Sequence, residues 1–182
     1  TVTDAAQLAG LNAGIVEQAA RRAQQAGVAG WVMGLDQPTY VAVVTDAESA
    51  ELRRVYYEAW CTRASDQGPT AGRFDNTATI EDILRLRHEA ARLLDFPSYA
   101  EYALADRMAH TVGEVTAFLR ELAAAARAGA AAELAELEAY AGRPLEAWDI
   151  TYYSERLQES RFHVSQEELR EYLPLPRVLD SL

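Results

Sequence analysis

The chain has 182 residues, 49% of them hydrophobic and 25% charged, with a formal net charge of −11. That length supports a core of ordinary size, the composition excludes a mainly disordered chain, and the charge repels phosphate backbones and anionic lipid. All 17 basic residues are arginine, which excludes a Walker A phosphate loop, a Schiff-base lysine and a lysine general base.

No apolar run reaches the roughly 20 residues of a membrane span, and the polar opening TVTDAAQ lacks the basic and apolar regions of a signal peptide. Cys61 is the only cysteine, so no internal disulfide is possible and a reducing, cytoplasmic setting is expected. Neither nucleic acid nor membrane is an expected partner.

Apolar periodicity predicts an all-α fold, beginning with a helix over 12–25. Residues 31–35 and 40–44 have strand-like composition and are expected to form one short strand or hairpin near 31–44, although Pro38 before Thr39 and Tyr40 could equally open a helix. A helix over 47–63 follows, opened by a capping box of Thr45 and Glu48, in which a hydroxyl takes a first-turn N–H and the glutamate reaches back. Residues 65–76 read as a connecting loop. Gly68 and Gly72 do not make it a phosphate cradle, because no lysine follows and no strand leads in.

A helix over 77–94 is expected to bury Ile80, Ile83, Leu84, Ala91 and Leu94. It carries LRHEAARLL, which begins like the H-E-x-x-H zinc signature at His88 and Glu89 and then places Arg92 where the second histidine belongs. A guanidinium has no lone pair to donate and repels a dication, so this is not a metal site. Glu81 with Arg85 and Glu89 with Arg92 have the spacing of surface ion pairs instead.

Two more capping boxes, Ser98 with Glu101 and Thr111 with Glu114, open helices over 98–105 and 111–141. The longer one carries a stripe of Val115, Phe118, Leu119, Leu122, Ala126, Ala130, Leu134, Leu137 and Ala141 that is expected to be buried. Helices over 147–161 and 165–172 complete the chain, the last opened by Ser165 with Glu168. His110 and His163 read as lone surface or capping histidines, and Cys61 as a small buried residue. Ser65, Ser98 and Ser160 lack the G-x-S-x-G context of a nucleophile.

The aromatic residues Trp148, Tyr152 and Tyr153 share one helix, with Asp149 and Arg156 to tie them down. Trp148 and Tyr152, four apart, form either an aromatic core pair or, with Tyr153 and Arg156, the wall of a groove that grips peptide. Both ends look cut, since Val178, Leu179 and Leu182 have no sequence left to cover them; the expectation is a single helical segment, 1–182, of something longer.

The stretches GWVMGLDQPTY, RASDQGPTAGRFDN, LRLRHEAARLLDFPSYAEYALADRMA and AWDITYYSERL, followed by EYLPL, resemble in that order the thimet-oligopeptidase family of zinc metallopeptidases. The resemblance implies a helical, two-lobed peptidase whose deep channel admits short peptides. It also implies zinc held by an H-E-x-x-H helix and a glutamate on a following helix, with the motif glutamate activating water. That machinery lies downstream of the segment ending like EYLPL, so His88 and Glu89 inherit no role.

By this resemblance the chain would be an inactive fragment supplying scaffold and channel wall, with Trp148, Tyr152, Tyr153 and Arg156 as peptide-contacting residues. Its partners would be short peptides and the remainder of the peptidase chain. No catalytic or metal-binding residue and no cofactor is expected within the segment, zinc belonging to the parent. The alternative is a self-standing acidic helical module that binds a peptide or protein. Large exposed apolar patches would distinguish the fragment from the module.

Overall fold

The computed structural model describes residues 1–163. It is built from helices: a short 3-10 turn, Ala5–Leu8, then α1 Ala13–Ala26, α2 Gln37–Asp46, α3 Ala50–Cys61, α4 Thr77–Leu93, α5 Tyr99–Leu104, α6 Val112–Ala141 and α7 Ile150–Phe162. The helix expected over 165–172, its Ser165–Glu168 box and the apolar residues 178–182 lie outside the described residues.

The chain divides into two compact units. Among the described residues the first comprises 1–57 and 136–163, and the second Glu58–Ala135. The first unit has a core of Val2, Leu8, Val43, Ala47, Leu52 and Tyr56, bordered by partly buried residues such as Val16, Trp31 and Leu35. The Asn12 side chain accepts the N–H of Ile15 to start α1, and Gly27, at φ 67°, ends it. Ala19 and Ala23 on its inner face are buried; their small size lets the returning segment approach, so that Val32 N–H donates to Ala19 O at 3.0 Å.

The expected hairpin near 31–44 does not form. Trp31 makes only an isolated antiparallel bridge with Val2, and 40–44 belongs to α2. Local chemistry decides this against β propensity. Asp36 accepts the Thr39 N–H at 3.1 Å and its hydroxyl at 2.8 Å, and Pro38 sits in the first turn, where its missing N–H costs nothing.

The Thr45–Glu48 box is also not the cap of its helix. Thr45 still lies within α2, and Ser49 instead caps α3 by accepting the Leu52 N–H at 3.2 Å. Ser98 caps α5, the Glu101 N–H donating to Ser98 Oγ at 3.3 Å, and Glu101 Oε2 accepts from that hydroxyl at 3.0 Å. At α6, Thr111 Oγ1 takes the Glu114 N–H at 3.1 Å, while Glu114 reaches the N–H of His110.

The second unit holds the larger departures. Its only fully buried residue is Ala91. Ile80, Ile83, Leu84 and Leu94, expected to be buried, are exposed, as are Phe118, Leu119 and Leu122 of the α6 stripe and, beyond the unit boundary, Leu137 is only half-buried. Of the expected α4 face only Ala91 is buried, so periodicity grouped the apolar residues while, among the described residues, little covers them. Cys61 is exposed rather than buried, being the last residue of α3. The 65–76 loop is held by its own backbone: Gly72 N–H donates to Ser65 O and Asn76 N–H to Ala64 O.

Candidate functional site

Arg53 and Asp149, 96 residues apart, meet inside the first unit through a 2.7 Å ion pair, and each is about 1% exposed. Arg53 also donates through one nitrogen to Ala47 O at 2.6 Å and Glu48 O at 3.1 Å. Its positive charge therefore sits at the carbonyl end of α2, where a cation is favoured. Asp149 is the residue before α7, so its negative charge lies at the amide end of that helix. One ion pair thus compensates the facing ends of two packed helices.

The second oxygen of Asp149 accepts from Arg143 at 2.8 Å and from the Glu146 N–H at 3.4 Å. Burial acts to raise the Asp149 pKa, but the hydrogen bonds from Arg53, Arg143 and Glu146 outweigh it and hold the carboxyl below the usual carboxylate range. The bond to Asp149 in turn raises the Arg143 pKa.

The aromatic residues assemble around this pair. The Arg53 guanidinium lies 4.1 Å over the Tyr152 ring, which Arg156 also approaches at 5.4 Å. Tyr152 meets Tyr153 edge-on at 5.2 Å, with Arg143 5.5 Å from the Tyr153 ring. Trp148 meets Tyr57 at 6.2 Å. The Tyr140 hydroxyl donates to Arg156 O, and Arg161 pairs with Glu136, tying the end of α6 to α7. Arg156 itself pairs with Glu159 at 3.1 Å and approaches Asp46 at 3.8 Å.

All four residues singled out in the sequence, Trp148, Tyr152, Tyr153 and Arg156, are half-buried. Of the four only Arg156 is charged, and Glu159 and Asp46 match that charge, while the three aromatic residues offer ring, indole N–H and hydroxyl groups. Arg53 and Arg143 carry as much of the architecture and were not singled out. Arg53 is followed by Arg54, which pairs outward with Glu51, and nothing local distinguishes the inward arginine from its neighbour.

His88, His110 and His163 are exposed, His163 closing α7 in a left-handed conformation. On α4, Arg85 pairs with Asp82 at 3.1 Å and Glu89 at 2.9 Å, so the expected partners Glu81 and Arg92 are replaced by neighbours at equally suitable helical spacing. Among the described residues no three His, Cys, Asp or Glu side chains cluster as a metal site would require. The strip around His88, crowded by Arg85 and Arg92, does not fit a dication.

The model of peptidase family M3 matches residues 43–182. The chain belongs to this family. Similarity to individual M3 relatives runs through the whole chain: it is 41% identical to oligopeptidase A of Escherichia coli over all of its own length and 27% of that protein's. It is 40% identical to the probable cytosolic oligopeptidase A of Arabidopsis thaliana, over 84% of this chain and 22% of the relative. With the dipeptidyl carboxypeptidase of Escherichia coli the identity is 31%, over 99% of this chain and 27% of the relative. The chain thus spans about a quarter of the length of these M3 relatives.

Proposed function

We propose that the chain is one helical segment of a zinc-dependent oligopeptidase that hydrolyses short peptides in the cytoplasm. The observation that carries this reading is the 41% identity to oligopeptidase A across the whole chain. The name of the plant relative, a probable cytosolic oligopeptidase A, supports the location. Residues 1–182 act as one segment of the larger protein, inactive alone.

In this reading zinc and the residues that activate water lie outside the segment, and none of its own side chains takes a catalytic step. Its contribution is scaffold and channel wall. Tyr152, Tyr153, Trp148 and Arg156 provide the peptide-contacting face, set in place by the Arg53–Asp149 pair behind them. Their half-buried rings support this, since a ring fixed on one side can meet a ligand on the other without a large ordering cost. The exposed apolar faces of α4 and α6 favour a segment over the self-standing module, whose surface should be polar all round.

The test is to read the source gene past the codon for Leu182 and to assay its complete product. An H-E-x-x-H motif with a downstream glutamate, one bound zinc, and chelator-sensitive cleavage of a fluorogenic peptide are expected. A stop codon directly after Leu182, or a complete product that neither binds zinc nor cleaves peptides, would overturn the reading.

A further inference from the structure

The second unit, Glu58–Ala135, encloses only Ala91 fully, although its two main helices are amphipathic. On α4, the charged groups Asp82, Arg85 and Glu89 form one ion-paired strip, while Ile80, Ile83 and Leu84 lie together on another side with more than two-fifths of their surface in water. On α6, Phe118, Leu119 and Leu122 keep the spacing of a single face and are at least 55% exposed. An apolar stripe opposite a charged strip is the pattern of a helix that buries the stripe against protein.

A lipid surface fits poorly. Membrane-surface helices carry lysine or arginine along the polar face, whereas this strip mixes signs and the chain has a net charge of −11. The length of the relatives supplies a better candidate, because the protein that this segment matches from end to end is nearly four times as long.

We propose that the apolar faces of α4 and α6, at Ile80, Ile83, Leu84, Phe118, Leu119 and Leu122, are docking surfaces for the remainder of the peptidase chain. The second unit takes its core from that remainder and not from itself. This rests on the reading of the chain as a peptidase segment and adds to it which faces are covered and by what.

Carbene footprinting with residue-level mass spectrometry tests it, comparing the 182-residue chain with the complete gene product and tracking oligomeric state by sedimentation. The six side chains should label strongly in the isolated chain and several-fold less in the complete protein, while the His88 and Glu89 strip labels equally in both. Equal labelling of the six in both forms would overturn the inference; peptide cleavage by that same complete protein would leave the proposed function standing. Protection that appears already in the 182-residue chain, together with a dimer, would overturn it in favour of a second copy. Protection in a complete protein that cleaves no peptide would support the docking surfaces and sink the peptidase reading.

Discussion

Val43 of α2 and Leu84 of α4 both sit on the apolar side of a helix, yet Val43 has 0% of its surface exposed and Leu84 has 60%. The difference lies in what surrounds the helix. In the first unit, α2 is met by the N-terminal segment, by α3 and by α7, and a buried ion pair joins two of its neighbours. In the second, α4 packs on the short α5, where Phe96 N–H bonds to Ala91 O. Similar helices therefore differ in what they contribute to stability, since most of a helix's stability in a protein comes from packing rather than from propensity.

The strongest way to break this contrast is to damage the first unit. Asp149→Asn leaves Arg53 buried against an uncharged amide, and removing one partner of a buried pair costs about 3–5 kcal/mol. Urea unfolding followed through Trp31 and Trp148 fluorescence should show a loss of this size. A loss under 1 kcal/mol would mean that the pair is not enclosed. The same carboxyl sets an acid limit. Its pKa is lowered in the folded chain, so its stabilisation is fully present above the ordinary carboxylate pKa and disappears as pH falls through the lower folded value. Acid titration by circular dichroism should show this component in the parent chain and not in Asp149→Asn.

At the alkaline end, burial and then the nearby Asp36 charge push Tyr56 up to about 12. Because the folded value lies above the unfolded one near 10, the stabilisation is complete below pH 10 and is lost as pH rises towards 12. Tyr56→Phe should abolish this alkaline loss. Tyrosinate absorbance that appears for Tyr56 at pH 10 without unfolding would contradict the enclosure of this side chain.

Core truncation gives a smaller and more direct comparison. Val43→Ala should cost about 1–3 kcal/mol, whereas Leu84→Ala in the same chain should stay within about 0.5 kcal/mol. In a complete protein that covers α4, the Leu84→Ala cost should rise to the core range. Equal effects of the two substitutions in the 182-residue chain would show that the second unit has a core of its own.

The sequence carried the helical architecture because caps and periodicity are local. Ser98 and Thr111 announce helix starts within three residues of themselves, and the structure uses both. At 31–44 two local signals competed, and the bond network of Asp36, with Pro38 in the first turn, prevailed over the strand-like run at 40–44. Burial was less legible. Periodicity identifies which side of α4 or α6 is apolar but not whether a partner is present, so the faces were readable and their exposure was not. The aromatic cluster was visible at Trp148–Tyr153, although Trp148 precedes α7 instead of sharing it with Tyr152 and packs on Tyr57, while Arg53, which joins Asp149 from 96 residues away, was hidden because only the fold brings the two together.

The charged strip of α4 should respond least. Arg85 is exposed and shares its guanidinium between Asp82 and Glu89, and an ion pair held in water gains little because solvent and salt screen it. Arg85→Ala should leave the thermal midpoint unchanged within error in both the short chain and the complete protein, since the strip faces water in each. His88→Ala should likewise leave stability and any bound zinc unchanged, as Arg92 occupies the position a second ligand would need. Zinc lost from the complete protein on His88→Ala would return the HEAAR stretch to the metal site; unchanged zinc, with Leu84→Ala costly in the same protein, would separate the wet side of α4 from the side that docks.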